Sequence, residues 1–253
     1  MGDDAANSKK RRTKWINSYL NMTMGQAEER PGFRIRSLEA VSVDSMLACT
    51  KHSLGAESVD IMLKVKKRVY DNIVEYLVTE GYPTEGDPDF KEGNANDLVY
   101  AIISPILGSF IHMTGRKSIQ LRREKEIVST GGETGGAEEF VMVDLVSITE
   151  KFLLIVEAKS TSLGQAMKQC LLAMKDIGDN NTDGKVYGFV TTGESWRMLS
   201  YDGVSFKLTD RMDVIFRAID REKEKWMKSY SVLVDCMYAV LSNRDTKKEV
   251  VAG

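Results

Sequence analysis

Residues 142–160, MVDLVSITEKFLLIVEAKS, decide how this chain is read. Two apolar runs meet at a short polar turn. The first run carries Asp144, and the second ends on Glu157 and Lys159. Apolar runs of this length around a turn read as a β-hairpin, with strands FVMVDLVSI and KFLLIVEAKS and Thr149–Glu150 between them. FLLIV is apolar at every position, the pattern of a central strand covered on both faces. Side chains alternate along a strand, so Glu157 and Lys159 share a face. Hairpin pairing is expected to bring Asp144 near Glu157 at the strand ends. Two carboxylates held together raise each other's pKa unless a cation lies between them, and Lys159 alone cannot balance both. A solvated Glu157–Lys159 ion pair is the plain alternative, but apolar strands seldom hold three charges without a functional cause. Paired carboxylates suit a hard divalent cation, Mg²⁺ or Mn²⁺, which also takes phosphate oxygens as ligands.

Downstream of the hairpin, SLGQAMKQCLLAMKDIGDN carries an apolar stripe at helical spacing. GKVYGFVTTG is a further apolar strand, and a helix between two such strands predicts a crossover joining parallel neighbours. SWRMLSYDGVSFKL reads as a second hairpin turning at Asp202–Gly203, and the C-terminal residues from Arg211 to Ser242 read as helix. Upstream, SIQLRREKEIVS has strand periodicity and GGETGGAEE reads as a loose loop. That loop lacks the GK[ST] ending of a phosphate-binding P-loop. Ser58–Gly81 and NANDLVYAIISPILGSFIHMTG are helical, with Asn94 or Asn96 as a cap and a kink expected at Pro105. The fold class is therefore α/β: helix, three-stranded meander, helix, strand, with additional helices at both ends.

The pair of acids followed by lysine, Asp144 and then Glu157-Ala158-Lys159, resembles the D…(D/E)xK signature of the PD-(D/E)XK nuclease superfamily. The element order from about residue 92 to 192 resembles its restriction-endonuclease-like core. NANDLVYAIISPIL, VEAKS, QAMKQCLLAM and YGFVTTGESWRML further resemble the nuclease-like domains of fungal and oomycete Crinkler-type effectors. The resemblance implies a Mg²⁺- or Mn²⁺-dependent nuclease acting on DNA or RNA. Asp144, Glu157 and the Ala158 carbonyl would hold the metal, and Lys159 would orient water or stabilise charge in the transition state. A glutamine on the following helix would support the site, and Gln169 is a better candidate than Gln165. The helical acid of the resemblance falls on Ala95, with Glu92 as the nearest substitute. The rival reading is a non-catalytic module of the same fold that binds nucleic acid or a host protein.

Composition is ordinary for a globular chain: 253 residues, 42% hydrophobic, 28% charged, with a formal net charge of -2. Near neutrality excludes a whole-protein attraction to nucleic acid, leaving local patches. Three scattered cysteines and two histidines argue against a zinc site or a disulfide framework. The longest apolar stretch, VYAIISPILGSFI, is shorter than a bilayer requires, so no membrane partner is expected. Residues 1–30 read as a flexible basic tail, 31–55 as a linker or peripheral helix, 56–245 as the nuclease-like domain and 246–253 as a tail. KKRRTK at 9–14 reads as a nuclear import signal or a nucleic-acid-binding arm, giving a nuclear rather than cytoplasmic expectation. The basic run RKSIQLRREKE could meet phosphates but reads rather as an edge strand protected by charge, and Trp196 and Tyr201 could stack on bases but read rather as packing residues.

Overall fold

The computed structural model describes residues 14–30, 32, 34–50, 56–83, 89–146, 149–160, 162–180 and 185–243. In chain order the first elements are β1 (Asn17–Ser18), α1 (Met24–Glu29), β2 (Glu39–Val41) and α2 (Val43–Cys49). Two long helices follow, α3 (Ala56–Glu80) and α4 (Glu92–Thr114). Next come β3 (Ile119–Val128), β4 (Thr134–Val146), β5 (Thr149–Ala158) and α5 (Leu163–Asn180). The chain continues through β6 (Val186–Thr191), β7 (Ser195–Tyr201), β8 (Phe206–Thr209) and β9 (Met212–Asp213), then α6 (Lys223–Ser229) and α7 (Val232–Ser242).

The described strands form one mixed sheet in the order β1-β4-β5-β6-β7-β8-β2, with β3 on β4 and β9 on β7. β3, β4 and β5 are an antiparallel meander. After α5 the chain returns as β6, parallel to β5, as the apolar crossover pattern predicts. The alternation of each strand then fixes two cores. Phe140, Met142, Leu154 and Val156 face α3, α4 and α7, while Val141, Val143 and Ile155 face α5. Gly188 of β6 lies directly under α5. A Cβ there would meet the sulfurs of Cys170 and Met174 at 2.7 Å, so helix and strand pack this closely only with glycine.

α4 runs without interruption through Pro105, where a kink is expected from sequence. Its start is Glu92, one turn earlier than an Asn96 cap would give. Asn94 sits inside the first turn, and its Oδ1 accepts from the Lys91 N–H at 3.0 Å. α4 has the length and composition to cross a bilayer, but Leu98, Ile102, Ile103, Ile106 and Phe110 are buried in the α3-side core. The C-terminal stretch divides into β9, α6 and α7 rather than one helical run. Trp196 and Tyr201 are core residues, which removes them as base-stacking candidates.

Residues 14–30 are docked on the domain rather than forming a tail. β1 pairs in parallel with Thr134 and Gly135 of β4. Gly135 also pairs with Val128 of β3, so β1 occupies the β4 edge that β5 serves further along. Trp15 and Tyr19 lie over this glycine pair. A Cβ on Gly135 would come within 2.7 Å of the Trp15 ring, and one on Gly136 within 2.4 Å of Tyr19. The buried Asp176 of α5 locks the segment in place. It accepts from Tyr19 Oη at 2.6 Å, Thr134 Oγ1 at 2.7 Å and the Arg30 guanidinium at 2.5 Å and 3.0 Å. Lys168 adds bonds to the carbonyls of Leu20 and Met22 at 3.1 Å and 2.8 Å. Removing one partner of a buried ion pair strands the other charge. Arg30→Ala should therefore cost about 3 to 5 kcal/mol in denaturant unfolding. A loss within a few tenths would mean that Asp176 does not depend on Arg30.

Candidate active site

β5 ends on Glu157, Ala158 and Lys159, held by β6 through the pairs Glu157–Val190 and Ala158–Thr191. The Lys159 N–H extends this lane, donating to Thr191 O at 3.0 Å. On the other side, pairing with β4 stops at Phe140–Val156. The strands are antiparallel, so the end of β5 stands opposite the start of β4. The acids beside Glu157 are therefore Glu138 and Glu139.

Asp144 is not part of this group. It pairs with Lys151 near the hairpin turn, five residues from Glu139, or roughly 17 Å along the strand. Its carboxylate forms an ion pair with Arg116, whose Nη1 donates to Leu241 O at 3.0 Å. Asp144 thus ties β4 to the α4–β3 junction and to α7. The expectation that hairpin pairing brings Asp144 to Glu157 fails on direction: an acid following FVMV lies at the turn end of its strand. The true neighbours precede FVMV, within the stretch read as a loose loop. Only residues 131–133 of that stretch lie between the strands, and Thr134–Glu139 already belong to β4.

Lys159 is the centre of the cluster. Its Nζ lies 2.6 Å from Glu92 Oε1, 2.9 Å from Glu157 Oε1 and 3.4 Å from Glu139 Oε1. Asn96 of α4 donates to Glu139 Oε2 at 2.7 Å. Glu92, chosen from sequence as a substitute acid, is thus joined to the site through the lysine. Ala158 is buried between the two charged residues, with its side chain in the α4-side core. Strict alternation would put Glu138 and Glu139 on opposite faces, yet both interact with Glu157. The strand pair is irregular here. Glu124, between the pairs Arg123–Phe140 and Lys125–Glu138, takes a left-handed φ of 49°.

Burial alone would depress the Lys159 ammonium, but Glu157 and Glu92 more than offset this and hold its pKa above the usual value. Lys159 is therefore a fixed cation. Burial raises Glu157, against the pull of Lys159. Burial and the Glu157 charge raise Glu139, and burial followed by Glu157 pushes Glu138 well above the carboxylate range. The buried Cys170 thiol beneath them is also pushed up by burial, then by Glu138 and Glu157, so it is no nucleophile.

An open cavity of about 610 Å³ begins at the cluster. Glu92, Glu139 and Lys159 form one side, Gln165 and Gln169 of α5 another, and Trp15, Ser18 and Leu20 a third. Gln169 is buried and its Oε1 lacks a hydrogen-bond partner. Glu138 is wholly buried against Glu157, and Glu157 Oε1 lies 2.9 Å from the Lys159 ammonium. Among the described residues, no three His, Cys, Asp or Glu side chains are positioned as they stand to hold a metal ion. A magnesium-type ion needs only one or two carboxylates beside substrate and water oxygens. Glu139, Glu157 and the free Gln169 Oε1, with four carboxyls near a single ammonium, fit such an ion in donor chemistry.

No family model matches the chain, and no curated protein matches it in sequence.

Folded Glu138 keeps its proton at pH values where the unfolded carboxyl has lost it. Its contribution to stability is complete below the usual glutamate range and falls as pH rises toward its own raised value. Glu138→Gln retains the shape and cannot ionise. Its stability should decline less than wild type between about pH 5 and pH 8. Parallel profiles in urea titrations would contradict this.

Proposed function

We propose that the chain is a divalent-metal-dependent phosphodiesterase of the PD-(D/E)XK kind, acting on DNA or RNA through Glu139, Glu157 and Lys159. The observation that carries this reading is the convergence of these three side chains on one cavity wall, at the end of the central strand. The element order supports it as well. A helix, an antiparallel meander, a crossover helix and a parallel strand form the order of a restriction-endonuclease-like core. Glu139 on the middle meander strand takes the role first expected of Asp144. The likeness to Crinkler-type nuclease-like domains belongs to the same reading.

Glu139 and Glu157 would hold Mg²⁺ or Mn²⁺, with the Ala158 carbonyl as the further ligand that the resemblance implies. A bound ion would supply polarisation of the phosphate and an activated water. Lys159, held protonated by its acidic neighbours, serves as a cation and not as a general base. Its charge stabilises the negative charge that develops on phosphate oxygens. Glu92 restrains the lysine from the solvent side, and Gln169 offers its free carbonyl oxygen to the cavity. KKRRTK would support nuclear import. Only its Lys14 lies within the described residues, where it meets Glu126 at 2.8 Å.

A second reading has one observation in its favour: three acids already satisfy Lys159. On that reading the cluster is a closed ion network in a non-catalytic binding module. Purified variants separate the two when assayed for Mn²⁺-dependent cleavage of single- and double-stranded DNA and RNA. Lys159→Ala and Glu157→Gln should each lower cleavage by about 10²-fold or more, while Asp144→Asn should leave it within a few-fold. A wild type that cuts none of the four substrates, or a Lys159→Ala variant that cuts as well as wild type, sinks the nuclease reading.

A further inference from the structure

Part of the cavity lining is built by the N-terminal segment, which no catalytic role accounts for. Trp15, Ser18 and Leu20 supply that part. Trp15 is half-buried, and Leu20 and Ile16 are exposed at 61% and 81%. Large apolar side chains at a charged cavity mouth are costly to solvate, and the segment is not loosely attached. β1, Asp176 and Lys168 fix it to β4 and α5. The cavity lining therefore combines a firmly attached apolar segment with the charged cluster.

The cavity, about 610 Å³, is small beside a duplex, and its lining brings one exposed aromatic segment close to the charged cluster. It has room for nucleotides presented singly. An accessible aromatic ring is the kind of surface on which unpaired bases stack, whatever their sequence.

We propose that Trp15, with Leu20, is the base-stacking wall of the site, and that the substrate is single-stranded nucleic acid. This rests on the nuclease reading above. The segment acts as part of the binding surface, and its loss would weaken substrate binding more than turnover.

The chain has three tryptophans, and Trp196 and Trp226 are both 0% exposed. Fluorescence quenching by ligand therefore reports on Trp15. The experiment titrates the full chain carrying Lys159→Ala with single-stranded oligonucleotide, duplex and mononucleotide in Mg²⁺. The expected result is quenching by the single strand, roughly tenfold weaker binding for duplex and for mononucleotide, and loss of the quenchable signal in Trp15→Phe. In the cleaving background, Trp15→Ala should raise KM for single strands by roughly tenfold with little change in kcat. Trp15 also packs on Gly135, so Leu20→Glu serves as a second variant. Its exposed side chain contributes little to folding, and a carboxylate there should weaken binding of the phosphodiester chain.

Single-strand binding that neither Trp15→Ala nor Leu20→Glu weakens would overturn the wall, even if cleavage stands. Duplex bound as tightly as single strand would overturn the substrate class. A mononucleotide that quenches as well as the oligonucleotide would make the cavity a nucleotide pocket instead. Single-strand binding through Trp15 without cleavage by wild type would uphold the wall and sink only the catalytic reading. Failure of every nucleic acid to bind would sink both.

Discussion

Where β4 outruns β5, the ammonium of Lys159 meets the carboxylates of Glu92, Glu139 and Glu157, with buried Glu138 behind them. Charge surplus of this kind is unfavourable away from water unless protons or a cation relieve it. The surrounding architecture holds it in place. Apolar FLLIV runs between two neighbouring strands with both faces covered, and a slip of one residue would drive Glu157 or Lys159 into an apolar core. Registration of β4 against β5, broken off at Phe140–Val156, leaves the edge open where the acids sit.

A second buried charge organises the other side of the cavity. Asp176 is fully satisfied by Tyr19, Thr134 and Arg30. Asp176 and Glu138 are both wholly buried. One has a guanidinium and two hydroxyls, the usual signature of a structural lock. The other lies against Glu157, whose charge adds to the cost of ionising it.

The meander, the crossover helix and the parallel return were legible because apolar runs, alternation and helical stripes are local signals. Glu157 and Lys159 stood out for the same reason, at the end of a strongly patterned strand, whereas Glu92 and Gln169 were reached only through the family resemblance. Asp144 was misplaced because direction along a hairpin must be tracked, not only proximity to an apolar run. Glu138 and Glu139 were overlooked because two glycines precede them, and glycine is read as loop. Here the glycines belong to a strand, cleared for Trp15 and Tyr19 to lie on. The N-terminal segment was illegible for a different reason. Its anchors, Asp176 and Lys168, lie far along the sequence on a helix whose polar residues look solvated.

The account's central claim is that the divalent-ion site lies at Glu139 and Glu157 and not at Asp144. Thermal unfolding with and without Mn²⁺ tests it without requiring turnover. At about a hundred times its dissociation constant, Mn²⁺ should stabilise wild type and Asp144→Asn alike, by roughly 2.7 kcal/mol, and should have little effect on Glu139→Gln. Stabilisation that survives in Glu139→Gln and disappears in Asp144→Asn would contradict the account.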